Sequence, residues 1–129
     1  MILLDTHVLI WASSDPGKLS KSATNAIRSA AQSDGVAVSA ISLWELSWLA
    51  THGRLQTAGT VESYVTEVTS RVAIRPITVK IAVLANQLPA NYPTDPCDRL
   101  IGATALSEGM TLITKDSDIR ACKQIATVW

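Results

Sequence analysis

Four acidic residues stand beside strongly apolar sequence: Asp5 in MILLDTHVLIW, Glu45 in SAISLWELSWLA, Asp98 in DPCDRLIGATAL and Asp116 in LITKDSDI. Each falls at the start of a helix-like segment. For Asp5, Asp98 and Asp116 the neighbouring apolar run reads as a buried parallel strand, or as a helix bedded on one. If those strands share a sheet, the acids collect at its carboxyl edge, where open α/β folds bind their ligands. Carboxylates gathered there repel, since two unit charges ~4 Å apart interact by about 4 kcal/mol at an effective dielectric of about 20. A cation would offset that repulsion. Oxygen-only sites favour Mg²⁺ or Mn²⁺, and a carboxylate-held ion of this kind is most often used on phosphates.

Taken singly, each acid has a plainer reading. Asp5 precedes a helix-like run and could be its N-cap, worth about 1 kcal/mol. Ser42-x-x-Glu45 reads as a capping box. In Asp95-Pro96-Cys97-Asp98 the first residue is a natural N-cap, Pro96 suits the first helical position, and a carboxylate at Asp98 is favoured by the helix dipole. Asp116 and Asp118 could cap the short turn after LITK. Capping, however, does not require four acids beside strand ends. Nor does it require Glu45 among Leu43, Trp44, Leu46, Trp48 and Leu49, where a carboxylate is costly unless paired or bound to a cation. The joint pattern therefore favours a metal site.

The elements that must position these acids alternate along the chain. Strand-length apolar runs cover 2–4 (ILL), 36–39 (VAVS), 72–77 (VAIRPI), 110–114 (MTLIT) and 125–129 (IATVW). Helical spacing runs from Leu19 to Ala31 with Ser20 or Ser22 as N-cap, from Ser42 to Thr51, from Thr60 to Ser70, from Thr78 to Leu88, and from Pro96 to Glu108, stopped by Gly109. This alternation predicts an α/β fold with a mostly parallel sheet covered on both faces. LPANYPTDP is the only long punctuated connection in this reading, and it delivers Asp98.

At 129 residues and 47% hydrophobic content the chain has the size and core of one compact domain spanning 1–129. No apolar run approaches the ~20 residues needed to cross a bilayer, and the start MILLDTH lacks a signal-peptide pattern. A cytoplasmic, membrane-free chain is expected. Cys97 and Cys122 then read as reduced packing residues. The formal net charge is zero and the pI about 6.7, which argues against wrapping nucleic acid with a basic surface. A polynucleotide would have to be gripped locally, for which Arg99, Lys115 and Arg120 adjoin the acids. His7 and His52 lack metal-ligand spacing, and the tryptophans at 44 and 48 read as a core-facing pair unless exposed, when they would mark a partner site. Nucleotide-binding glycine motifs are absent.

The segments MILLDTHVLIWA, VSAISLWELSWLATHGRL and DPCDRLIGATALSEGMTLITKDSDI, with the closing TVW, resemble a PIN domain of the VapC toxin type, essentially end to end. The resemblance implies a PIN-like parallel sheet of five strands in the order 3-2-1-4-5. It further implies a Mg²⁺-dependent endoribonuclease (Mn²⁺ possible) that is the toxin of a toxin–antitoxin pair, with RNA as substrate. The family's metal-binding acids fall on Asp5, Glu45, Asp98 and Asp116, and Thr114 and Asp118 match its supporting polar positions. The same likeness implies a homodimer held inactive by a cognate antitoxin. The chain departs from the common pattern at Cys97, where relatives often carry an aromatic or Ala, and at Pro93, where they often carry His. In this reading Asp5 and Asp98 are direct metal ligands, Glu45 orients or deprotonates water, and Asp116 completes the shell. Two rivals are metal-independent RNA cleavage by His7, and a catalytically inactive module that binds RNA or a protein partner.

Overall fold

The computed structural model describes residues 1–129. Its strands are β1 (Ile2–Leu4), β2 (Val36–Ser39), β3 (Ala73–Arg75), β4 (Thr111–Ile113) and β5 (Thr127–Val128). They form one parallel sheet in the order β3-β2-β1-β4-β5, as expected. Leu3 lies between Ala37 and Leu112, and Leu4 between Val38 and Ile113. Successive strand residues point to opposite faces. Leu3, Ala37 and Leu112 therefore enter one core with Ile101 and Ala105, while Leu4, Val38 and Ile113 enter another with Val8 and Leu46. Burial on both faces is why these strands read as unbroken apolar runs.

The helices are α1 (Thr6–Ser14), α2 (Lys21–Ala31), α3 (Ala40–Thr51), α4 (Val61–Val68), α5 (Val79–Asn86), α6 (Pro96–Glu108) and α7 (Ser117–Arg120). Val8 of α1, Ala23 of α2 and Leu46 of α3 cover one face of the sheet; Ile101 of α6 and Ile119 of α7 cover the other. Helix α5 packs outside α6 through Ile81, Ala85 and Ala103. Polar side chains fix the helix starts: Ser20 accepts from Ala23 N–H, Thr60 from Ser63 N–H, Thr78 from Ile81 N–H, and Asp95 from Cys97 and Asp98 N–H. Gly109 ends α6 at φ 65°, a left-handed value that suits glycine.

Three local expectations are corrected. Helix α3 begins at Ala40, capped by Ser39, so Ser42 and Glu45 form no capping box and Glu45 sits in the second turn. Ser39 wins because it closes β2 in extended geometry with its oxygen aimed at Ile41 N–H, 3.3 Å away. Of VAIRPI only Ala73–Arg75 pairs: Pro76 has no N–H to donate, and β3 is an edge strand with Ile74 exposed. A second punctuated connection runs from 52 to 60, turning at Gly53 (φ 70°) and Gly59 (φ 84°).

Candidate metal centre

Sheet order reverses between β1 and β4, the switch point beyond whose strand carboxyl ends open α/β folds place their ligand crevice. Asp5 leaves β1 into it. Its N–H donates to Ile113 O at 3.0 Å, which extends the ladder by one residue and fixes where the side chain emerges. Asp5 is 4% exposed and both its carboxylate oxygens are engaged: Oδ1 accepts from Thr6 N–H at 2.8 Å, and Oδ2 from Thr114 Oγ1 at 2.7 Å. Thr114, at the end of β4, also accepts from Asp116 N–H at 3.1 Å. Asp116 in turn caps α7, its Oδ1 taking N–H bonds from Asp118 and Ile119. Asp116 thus serves as the expected cap and stands at the crevice. Asp118 is exposed, and its part there is to donate its backbone N–H.

Glu45 reaches the same crevice from α3. Its Oε1 accepts from Thr6 Oγ1 at 2.6 Å, and Thr6 Oγ1 lies 2.8 Å from Ser42 Oγ. Thr6 has one hydroxyl proton, which goes to Glu45, so Ser42 donates to Thr6. Burial raises the Glu45 pKa; the Thr6 bond opposes that, and the charges on Asp5 and Asp95 add to it.

Asp98 is placed differently. It is the third residue of α6, and the helix start is fixed by Asp95 and Pro96 as the sequence suggested. The loop before it is held by Tyr92, 2% exposed, whose hydroxyl donates to the Asp98 carbonyl at 2.7 Å. Arg99 also holds this loop, donating to Ala85 O at 3.0 Å and Tyr92 O at 3.4 Å, so it is committed to the fold and not to phosphate. The Asp98 carboxylate accepts no hydrogen bond and forms no ion pair. Burial, then the charges of Asp5, Asp95, Glu45 and Asp116, push its pKa from 3.8 to about 7.

Asp98 therefore feels the charges of the other three predicted acids at one edge, and Asp95 joins them as a fifth. Among these five only Asp5 has a basic side chain against it, His7 through Nδ1 at 3.5 Å. Their all-oxygen donor set, short of positive charge, fits a hard divalent ion. No three of the groups already converge as a finished ligand set. Asp5 and Glu45 are instead held by threonine hydroxyls, which supply part of the compensation a cation would give.

The remaining candidates resolve in other ways. His7 Nε2 accepts Lys115 N–H at 3.1 Å, which puts the ring proton on Nδ1, facing Asp5. His52 lies in the C-terminal cap of α3, bonded to Trp48 O at 2.7 Å and stacked on the Trp48 ring. Cys97 is buried; its thiol is pushed up to about 12, first by burial and then by Glu45, Asp95 and Asp98, so it stays protonated. Cys122 packs in the core, as expected. Trp44 and Trp48 are 57% and 39% exposed, against the core-facing expectation; α3 turns its Leu46 side to the sheet instead. Thr6 and Ser42 were missed because hydroxyls at helix starts read as caps. The available signal was the triplet Asp5-Thr6-His7 itself, which must enter the crevice together.

Comparison with known proteins gives a consistent result. Residues 2–124 match the PIN domain family. Ribonuclease VapC22 of Mycobacterium tuberculosis is 43% identical, over 99% of this chain and 98% of that protein. Among solved structures, VapBC2 from Rickettsia felis bound to a DNA fragment from its promoter superposes with a TM-score of 0.76 at 21% identity, covering 99% of this chain and 98% of that one. VapBC-1 from nontypeable Haemophilus influenzae gives a TM-score of 0.74 at 20% identity, covering 99% and 97%. At those identities the structural matches speak for the fold.

Proposed function

The chain belongs to the PIN-domain family, and on that premise we propose that it is a metal-dependent endoribonuclease acting as the toxin of a toxin–antitoxin pair. The observation that carries the reading is the gathering of Asp5, Glu45, Asp95, Asp98 and Asp116 at one sheet edge, where burial first and then the neighbouring acids lift Asp98 to about 7 with no ion pair to offset its charge. Such a cluster is a poor design for stability and a good one for seizing a cation.

Asp5 and Asp98 would hold Mg²⁺ or Mn²⁺, with Asp116 completing the shell. When bound, the ion supplies positive charge against the scissile phosphate and acidifies water. Asp5 is preorganised by Thr6 N–H and Thr114 Oγ1, so its position does not depend on the ion's arrival. Glu45, with its pKa raised by burial, is suited to take a proton from the attacking water, and Thr6 aims it. His7 is a poor rival base, because Nε2 is occupied by Lys115 N–H and Nδ1 carries its proton toward Asp5.

Two apolar surfaces suit the partners of such a toxin. Trp44 and Trp48 flank Glu45 on α3 and fit an antitoxin peptide that lays an arginine against the acids. Ile74 and Ile77, in and just after β3, and Val79 and Val83 on α5 are also exposed and suit contact with another copy of the chain.

RNA cleavage assayed with Mg²⁺ or Mn²⁺ and with EDTA tests the reading. Expected are products with 5′-phosphate ends, and no cleavage in EDTA. Cleavage that persists in EDTA and leaves 2′,3′-cyclic phosphates would move the chemistry to His7. Absence of cleavage with either ion, in a chain that still binds RNA or a partner protein, would establish the inactive binding module instead.

A further inference from the structure

Trp11, on α1, is partly exposed and gathers an unusual set of neighbours. The His7 ring meets its indole edge-on at 5.0 Å between centroids, and Trp129 lies at 5.9 Å. The ammonium groups of Lys18 and Lys115 stand 5.7 and 5.6 Å from the same indole centroid. Lys115 makes no ion pair, and Lys18 has only the exposed Asp15 at 3.7 Å. A chain with no net charge thus brings two cations onto one aromatic ring. Lys115 N–H also donates to His7 Nε2, whose other nitrogen faces Asp5. A single side chain therefore separates this cationic, aromatic patch from the acidic crevice.

We propose that Trp11, Lys18 and Lys115 form a subsite for single-stranded RNA beside the acids. The two ammonium groups take a backbone phosphate neighbouring the one that is cleaved, and the indole stacks a base. The proposal rests on the nuclease reading above. Its logic is electrostatic: the crevice that attracts a metal ion repels every phosphate except the one the ion holds, so the strand needs positive charge immediately outside it. Sites for single strands combine a cationic track with aromatic platforms on which bases stack. Exposed ammonium–indole contacts are weak, so either lysine can leave the ring when a phosphate arrives.

Steady-state cleavage of a short fluorescein-labelled single-stranded RNA of mixed sequence in Mn²⁺, repeated over a series of salt concentrations, tests this. In Lys18→Ala/Lys115→Ala, KM should rise about tenfold with kcat nearly unchanged, and the log–log salt slope should fall by about 1.4, the loss for two single-strand contacts. Trp11→Leu should raise KM by about tenfold through lost stacking. Lys18→Arg/Lys115→Arg should keep KM near wild type, a rescue that a packing role would not produce. If Trp11→Leu fails to fold, the lysine variants alone decide, since their side chains are exposed. Unchanged KM and salt slope in an otherwise active alanine double variant would overturn the subsite and leave the nuclease reading intact. A wild-type chain that cleaves nothing with Mg²⁺ or Mn²⁺ removes both. Variants that handle RNA normally but lose an inhibitory protein partner would show a protein-binding patch, which also overturns the proposal.

Discussion

Asp98→Asn should stabilise the metal-free protein while abolishing cleavage. Asp98 has no donor to its carboxylate, and burial with four neighbouring acids moves its pKa from 3.8 to about 7. A displacement of that size corresponds to roughly 4 kcal/mol of destabilisation at a pH where the group is ionised. Asp98 is only half-buried, so solvent screening leaves about 2 kcal/mol. Removing a first-turn carboxylate gives back about 0.5 kcal/mol of favourable helix-dipole interaction. The net gain of about 1.5 kcal/mol is a rise of roughly 5 °C in Tm for a chain of this length. The sign follows from linkage. The folded pKa lies above the unfolded one, so the cost of ionising Asp98 is absent below about pH 4, grows between about pH 4 and 7, and is complete above about 7. Thermal melts in EDTA across that range should therefore show little difference between variant and wild type at the acid end and the full difference at pH about 8. Saturating Mg²⁺ should then stabilise the wild type and not the variant, which closes or reverses the gap. A variant that melts several degrees below wild type in EDTA at alkaline pH would show that Asp98 is chiefly a helix stabiliser. A gap that ignores pH would equally defeat the reasoning.

Other outcomes follow from single contacts. Gly102→Ala would place a Cβ 2.2 Å from Tyr92 Oη and 2.8 Å from Cζ, so despite the better helix propensity of alanine it should cost about 2 kcal/mol. Adding Tyr92→Phe should return part of that loss in a double-mutant cycle, and additive melts would show that the clash is relieved elsewhere. Val79→Glu, at a residue 83% exposed, should leave a monomer by light scattering without changing the fold; a retained dimer would exclude this face as the contact. Reversing the charge of the antitoxin arginine should restore nuclease activity even where binding survives through Trp44 and Trp48. Full inhibition with the acids still open to metal would mean that inhibition works by blocking RNA access.

The sheet was legible because its central strands are buried on both faces. ILL, VAVS and MTLIT are short, mostly apolar runs, the last two opened by a glycine, which leaves them few alternatives. Helix starts at Thr60, Thr78 and Asp95 were legible for a local reason, and that of α2 to within Ser20 or Ser22: each cap needs only its own oxygen and an amide two or three residues on. Where two polar residues compete, local rules lose their grip. Ser39 and Ser42 both suit an N-cap, and the choice went to Ser39 through the geometry of β2, a fact of the sheet and not of the helix. Trp44 and Trp48 failed for a related reason, since α3 is apolar nearly all round and periodicity could not say which face the sheet would take.

The acids themselves were visible as a set, whereas the way each is held was not. Asp5 and Asp98 look alike in sequence, an aspartate beside an apolar run at a helix start. The fold gives Asp5 a backbone amide and Thr114 Oγ1, a partner 109 positions away in the chain, and gives Asp98 no donor. One is therefore a fixed anion that keeps its geometry whatever the crevice contains. The other is an anion whose charge no donor in the fold offsets, so on the proposed metal reading ion binding there would release a proton near neutral pH. Thr6 joins this division by binding both sides: its N–H holds Asp5 and its hydroxyl holds Glu45, which ties the end of β1 to the second turn of α3. A residue with that double duty leaves no trace in spacing or composition, because its two acceptors stand at sequence distances of one and thirty-nine and meet only once β1 and β2 pair in register.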